Sequence, residues 1–291
     1  MATLKSTLRD TIDFVVERFF DLDRVDKGTQ TLLMLKYREL LEKGGKLPDF
    51  SDIGFRSFSQ NDEDGILLFV FSLIGTTNRG VVEACAGDGI QCNAANLIIN
   101  HGWHGLLLDG NKEAILRGRR FHSRCRDTRS APPALEHAWL EPDNVNEIIS
   151  RCGYRGEIDL LSLDMDGMDY WVWNAIDCIQ PRVVVAESQI FWGPEDSVTV
   201  PYQRGFARDS DRPSYYGASP AALVKLARTK GYRLVGCNRY GFNIFFVRAG
   251  VGEQCLPEVP VHTCYRYRSP RSDLVRRSRH EAVKDLEWTR I

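Results

Sequence analysis

The sequence predicts an α/β fold: a mostly parallel sheet, finished by an antiparallel hairpin and preceded by N-terminal helices. Three observations predict it. From residue 81 onward, short runs rich in Val, Leu and Ile alternate with helical stretches, as buried parallel strands and their right-handed crossover helices do. The last two runs, Tyr232–Cys237 and Asn243–Arg248, are joined by a short turn around Arg239 and Gly241, so one of them must run antiparallel. Residues 1 to about 45 carry apolar side chains at helical spacing, among them Leu32, Leu33, Leu35, Leu40 and Leu41, and Gly44 and Gly45 stop the run.

The elements follow in order. Strands are expected at 81–85, 105–109, 135–140, 158–164 and 182–188, each a short apolar run bounded by turn residues. Helices are expected at 62–73, 94–100, 112–119, 144–151, 170–179 and 219–230, with 48–57 as a connector. Residues 118–133, rich in Arg and Ser and holding Pro132 and Pro133, read as irregular. So do residues 189–218, which carry Phe191, Trp192, Tyr202, Tyr215 and Tyr216; a connection of that length reads as a lid or binding loop. The chain divides into a helical extension (1–57), a central α/β domain (58–250) and a tail with a helix at 272–288 (251–291).

Composition bounds the partners. A net charge of −1 provides no global field toward nucleic acid or an anionic membrane. No apolar run approaches the ~20 residues of a membrane helix. The first segment has acids inside its apolar run and reads as an amphipathic helix rather than a secretory signal. Eight cysteines without a CxxC pair argue against zinc and for reduced thiols in a cytoplasmic protein. The N-terminal helices would suit a homodimer.

The densest chemistry lies in GVVEACAGDGIQCN, where a buried strand carrying Glu83 runs into Gly87, Asp88 and Gly89 and then a helix. Small residues at such a bend let backbone N–H groups approach a ligand, and the helix N-terminus favours a carboxylate or phosphate. The next strand, GLLLDGN, ends in Asp109, twenty residues after Gly89, where an acid accepts hydrogen bonds from both ribose hydroxyls. Glu83 before the glycines suits a cation better than a pyrophosphate, and Cys92 stands where a dinucleotide site needs a third small residue. The ligand these residues fit is S-adenosylmethionine, with Asn93 reaching its carboxylate or capping the helix, and Asn111 bonding adenosine or capping the next. A nicotinamide dinucleotide is the weaker alternative. Trp139 reads as a core residue, or as a stacking face for adenine.

Acids also end the later strands. Ser162, Asp164 and Asp166 share one face if the fourth strand runs that far, and Glu187 ends the fifth. Ligands of open α/β sheets bind beyond the carboxyl ends of the strands. In one reading Asp164 or Asp166 touches the methionine end of the cofactor and one of Asp166, Glu187 or His137 is the general base. In the other, Asp164, Asp166, Asp169 and Glu187 hold Mg²⁺. Asp169 alone reads as an N-cap.

The segments SFSQNDEDGILLFVFSLIGTTNRGVVEACAGDGIQCNAANLI, GWHGLLLDGN, IDLLSLDMDGMDYWVW and PRVVVAES resemble the FkbM-type S-adenosylmethionine-dependent methyltransferases over roughly residues 58–247. The resemblance implies a class I methyltransferase fold, a Rossmann-like three-layer sandwich on a seven-stranded sheet. It implies a cofactor site at Glu83, Gly87, Gly89 and Asp109, closed at its methionine end by Ser59, Gln60, Glu63 and Asp64. It also implies O-methylation of a hydroxyl on a small molecule or sugar. The sequence departs from the family pattern at Cys85, which stands in place of a glycine. Because a Cβ makes left-handed backbone costly, either that position is extended or the cofactor lies differently. Two further readings remain open: an intramolecular reaction of the cofactor's aminobutyryl arm, and a non-catalytic interaction protein on the same scaffold.

Overall fold

The computed structural model describes residues 24–266 and 269–291. The amphipathic helix expected in the first 23 residues therefore lies outside the described residues. Seven strands form one sheet: β1 (Gly80–Ala84), β2 (His104–Asp109), β3 (Ala134–His137), β4 (Gly156–Leu163), β5 (Ile179–Glu187), β7 (Tyr232–Cys237) and β8 (Asn243–Arg248). Their order is β3-β2-β1-β4-β5-β8-β7. All neighbours are parallel except β8, which runs antiparallel to both β5 and β7. The order reverses direction between β1 and β4, and this switch point opens a crevice at the carboxyl edge.

Helices cover both faces, because each strand is apolar on both. Val82, Leu106, Leu161, Val184 and Phe246 point to one face and pack with Trp173 and Leu223. Val81, Leu107, Leu160, Val183 and Phe245 point to the other and pack with Phe69 and Ile98. The first face carries α6 (Val145–Arg151), α7 (Asp169–Ala175) and α8 (Pro220–Thr229); the second carries α1 (Lys27–Glu42), α3 (Glu63–Ile74), α4 (Ala95–His101) and α5 (Lys112–His122). The short α2 (Phe50–Ile53) falls inside the expected connector, and α9 (Pro270–Val283) is the helix of the tail. A two-stranded sheet joins β6 (Val198–Thr199) to β9 (Thr289–Arg290), tying the tail to the long loop.

A buried polar network fastens α1 to the sheet domain. Gln30 accepts from Asn96 Nδ2 at 2.9 Å and meets His101 Nε2 at 2.7 Å, while its own amide donates to Ser57 Oγ at 3.1 Å. Burial pushes the His101 pKa down to about 4, so the ring is neutral at pH 7. His101 is thus a structural residue of this joint.

Several boundaries differ from expectation for local reasons. β3 stops at His137, so residues 138–141 leave the sheet and Trp139 is exposed rather than core. α5 runs on to His122, three residues past the expected end, and Gly118 within it lies against the backbone of Asp88, where a Cβ would collide. α7 ends at Ala175, and β5 then starts early, at Ile179. Among the described residues no helix is long and apolar enough to cross a membrane.

Candidate active site

The turn after β1 is built around a buried carboxylate. Glu83, 3% exposed, accepts Asn93 N at 2.9 Å and Ser162 Oγ at 3.1 Å on one oxygen and Ala94 N at 2.7 Å on the other. It closes the loop onto the start of α4 and links it to β4. Burial pushes its pKa up, against the backbone donors that pull it down. Glu83 is therefore a loop-fixing residue whose oxygens are engaged within the protein, rather than a carboxylate turned to a ligand's cation. Asn93 belongs to the same knot: its side chain donates to Ser162 Oγ at 3.1 Å.

Between these anchors the backbone is left-handed three times, at Cys85 (φ 58°), Gly87 (φ 59°) and Gly89 (φ 66°). Cys85 thus adopts a left-handed conformation that favours glycine, at a cost of about 1–2 kcal/mol for its Cβ. Its side chain is exposed in the crevice. The protein crowded around it, and then the charges of Asp109, Asp169, Asp164 and Asp166, push its thiol pKa up, which keeps it a neutral SH. The glycines differ in role. A Cβ on Gly87 would meet nothing within 4 Å, so that side of the turn is open to a ligand. A Cβ on Gly89 would lie 2.5 Å from Leu107 Cδ1, so Gly89 serves close packing on the sheet. The Gly89 carbonyl is held by the buried His122 ring at 3.0 Å.

Asp109 ends β2 beside this turn. One carboxylate oxygen accepts Gly87 N at 2.8 Å and the other accepts Asn111 N at 2.7 Å. Each oxygen keeps a second lone pair, and the residue is only half-buried, so a diol can still bond both. Asn111 itself caps α5, its side-chain oxygen accepting Ala114 N at 3.0 Å. Trp139, 51% exposed, lies against Gly110, where a Cβ would come within 2.7 Å of the indole. Cys85, Gly110, Trp139, Leu140, Met165 and Met168 line a cavity of about 270 Å³ here, just under the roughly 300–1,000 Å³ of small-molecule sites.

The 189–218 loop roofs this cavity. Phe206 covers Gly167, where a Cβ would come within 2.5 Å of the ring. Gly205 N and Tyr202 OH both donate to the buried Glu141, at 2.6 and 3.0 Å, and Arg204 pairs with Asp143. Arg208 pairs with Asp166 at 2.7 Å and stacks over the Tyr216 ring at 4.2 Å. Asp166, itself left-handed at φ 50°, is thereby a partner for the loop.

The sheet brings only some of the other candidates together. Leu163 and Ala186 are paired, so Asp164 and Glu187 follow as neighbours on the rim. His137 sits on edge strand β3, with β2, β1 and β4 between it and β5; at ~4.8 Å per strand it lies roughly 19 Å from the end of β5. Its ring meets Gly110 O at 3.0 Å, so it belongs to the cavity's outer edge and not with the β4–β5 carboxylates. Asp169 is not an N-cap: its carboxylate accepts Met165 N at 2.8 Å and Gly167 N at 3.1 Å and holds the turn before α7. With Asp169 so engaged and Asp166 paired to Arg208, the expected four-carboxylate Mg²⁺ cage does not form. Among the described residues no group of three or more His, Cys, Asp or Glu side chains is arranged for a metal ion.

The segment before α3 reaches this edge from the second face. Asp64 accepts the N–H groups of Ser57, Phe58 and Ser59 at 2.7, 2.6 and 2.9 Å, and Glu63 accepts Asn238 Nδ2 and Asn243 Nδ2 at 2.9 and 2.8 Å. Asn243 is the register partner of Glu187, which places Glu63 by the end of β5. Ser59 is buried in this turn, whereas Gln60 is exposed. His122, Glu141, Phe206, Arg208 and Tyr216 shape the site but were not singled out from the sequence for these roles. Only the aromatic content of the long loop signalled some of them.

A sheet of this order, with its penultimate edge position filled by the one antiparallel strand, defines the class I methyltransferase fold. No family model matches the chain, and no curated protein matches it. Among solved structures it is similar to the CcbJ methyltransferase of Streptomyces caelestis, at 14% identity and a TM-score of 0.41 over 65% of this chain and 95% of that one. It is also similar to the magnesium protoporphyrin IX methyltransferase of Synechocystis (11% identity, TM-score 0.39, 64% of this chain and 78% of that one). A glycopeptide N-methyltransferase complexed with sinefungin gives 12% identity and a TM-score of 0.38 over 62% of this chain and 84% of that one. The fold rests on the strand order, not on these distant likenesses.

Proposed function

We propose that this protein is an S-adenosylmethionine-dependent methyltransferase of the FkbM type that methylates a hydroxyl of a small molecule or sugar. The observation that carries the reading is the convergence of three features on one crevice. Asp109 offers two oxygens with spare lone pairs, Gly87 leaves open space beside them, and Trp139 presents an exposed aromatic face next to Gly110. These fit, in turn, a ribose diol, a ligand lying close to the turn, and an adenine ring.

The cofactor supplies the methyl group. The protein's own part is to hold the ribose at Asp109, stack the base at Trp139, exclude water with Phe206 and the pinned 202–208 segment, and place an acceptor by the carboxylates of β4 and β5. Support for oxygen as the acceptor atom comes from the family resemblance, and aromatic residues of the long loop suit the faces of sugar rings.

Incubation with S-adenosylmethionine and a panel of polyhydroxylated acceptors tests the reading. Acceptor-dependent S-adenosylhomocysteine is expected. Methylthioadenosine formed without any acceptor would instead mark an intramolecular reaction of the aminobutyryl arm and overturn transfer.

A further inference from the structure

We propose that Asp164 and Glu187 form a proton-sharing carboxyl pair in which Asp164 takes the proton from the acceptor hydroxyl. The inference rests on the methyltransferase reading and deepens it.

The pairing follows from register. Leu163 and Ala186 are the last bonded pair of β4 and β5, so the next residue of each strand, Asp164 and Glu187, stands side by side on the rim. β4 ends at Leu163, so Asp164 is the first residue beyond the strand, two along from Ser162, which is bonded to Glu83 in the floor of the crevice. Glu187 is held from above: Tyr216 OH donates to its Oε1 at 3.3 Å. Its Oε2 is buried and has no hydrogen-bond partner. A buried carboxyl oxygen without a partner is costly, and the arrangement is stable only if a proton or a donor from a bound molecule fills the gap.

The surroundings say which. Asp164 is faced by Asp169 and Asp166 from the α7 turn, Glu83 from β1 and Glu187 from β5. Glu187 is faced by Asp164, Asp169 and Asp166, by Tyr216 from the loop, and through Asn243 by Glu63. The nearby Arg208 stacks on Tyr216 but is paired to Asp166. Burial and then these acids push Asp164 up to about 7 and Glu187 well above its ordinary value. Two such groups titrate as a unit and hold one proton between them near neutrality. A base poised near the working pH is the efficient one.

In the transfer step the acceptor oxygen bonds the methyl carbon, the S–C bond breaks, and its electron pair stays on sulfur. The acceptor's O–H proton passes to the Asp164 carboxylate, which later returns it to solvent. Glu187 positions Asp164 and limits its charge.

Cofactor analogues test the pair without knowledge of the acceptor. Sinefungin carries an ammonium where the transferable methyl stands, and S-adenosylhomocysteine carries nothing there. Calorimetric titration of the intact protein between pH 5 and 8 should show sinefungin gaining on S-adenosylhomocysteine by up to tenfold per pH unit below about 7 and then levelling off. With folding checked by circular dichroism, Asp164→Asn should lose that pH dependence, and Glu187→Gln should keep it with a shifted midpoint. Carboxyl ¹³C NMR of the free protein should show one carboxyl titrating near pH 7 that is missing from Asp164→Asn. Binding of both analogues at a pH-independent ratio, or no carboxyl titrating above pH 6, overturns the pair and leaves the cofactor site standing. Failure of both analogues to bind overturns the methyltransferase reading and the pair's catalytic role with it.

Discussion

The Asp109 carboxylate accepts the Gly87 backbone N–H at 2.8 Å, fastening the end of β2 to the glycine turn after β1. One side chain thus shapes the turn and keeps lone pairs for a diol. Asp109→Ala removes both contributions. A hydrogen bond to a charged group is worth about 1.5–3 kcal/mol, so calorimetry should show S-adenosylmethionine binding weakened roughly 10- to 100-fold.

Trp139 should carry the base. Stacking of a base on an aromatic side chain contributes about 1–3 kcal/mol, so Trp139→Ala should raise the Kd at least fivefold while Trp139→Phe keeps most of the affinity. Equal affinity in the alanine variant, read by the same titration, would remove the tryptophan from the site.

Cys85 stores strain that can be released. Glycine at this left-handed position relieves about 1–2 kcal/mol and gives back part of it as unfolded-chain entropy. Cys85→Gly should therefore raise Tm by about 2 °C, and Cys85→Val, with a branched Cβ, should lower it, as measured by calorimetric melting.

These residues also mark how far the sequence could be read. The sheet was legible, because strands apolar on both faces and a closing hairpin leave few other topologies. Asp109 and the glycine turn were legible as a place. The partners of Glu83 were not, because it spends its side chain on backbone N–H groups whose positions only the fold supplies, whereas the helix cap at Asn111 was one of its two readings. Trp139 looked like core while its strand was expected to reach residue 140; β3 ends at His137, and the indole comes out. His137 looked like a candidate base because strand order, which sets it on the far edge, is not written locally.

Asp64 should give the protein a pH signature. Burial lifts its pKa from 3.8 to about 6, against three backbone donors. The folded state therefore holds this proton more tightly than the unfolded chain. The stabilisation is complete below about pH 4 and is lost as pH rises through about 6. Denaturant titrations at pH 4 and pH 7 should show the wild type losing stability relative to Asp64→Asn across that window. A constant difference between the two proteins would remove the assignment.

Calorimetric titration of the wild-type protein with S-adenosylmethionine, run beside NAD, tests the central claim most directly. One S-adenosylmethionine per chain, blocked by prior saturation with S-adenosylhomocysteine, and no heat from NAD is the predicted result. NAD binding at the Asp109 crevice with no response to S-adenosylmethionine would contradict it.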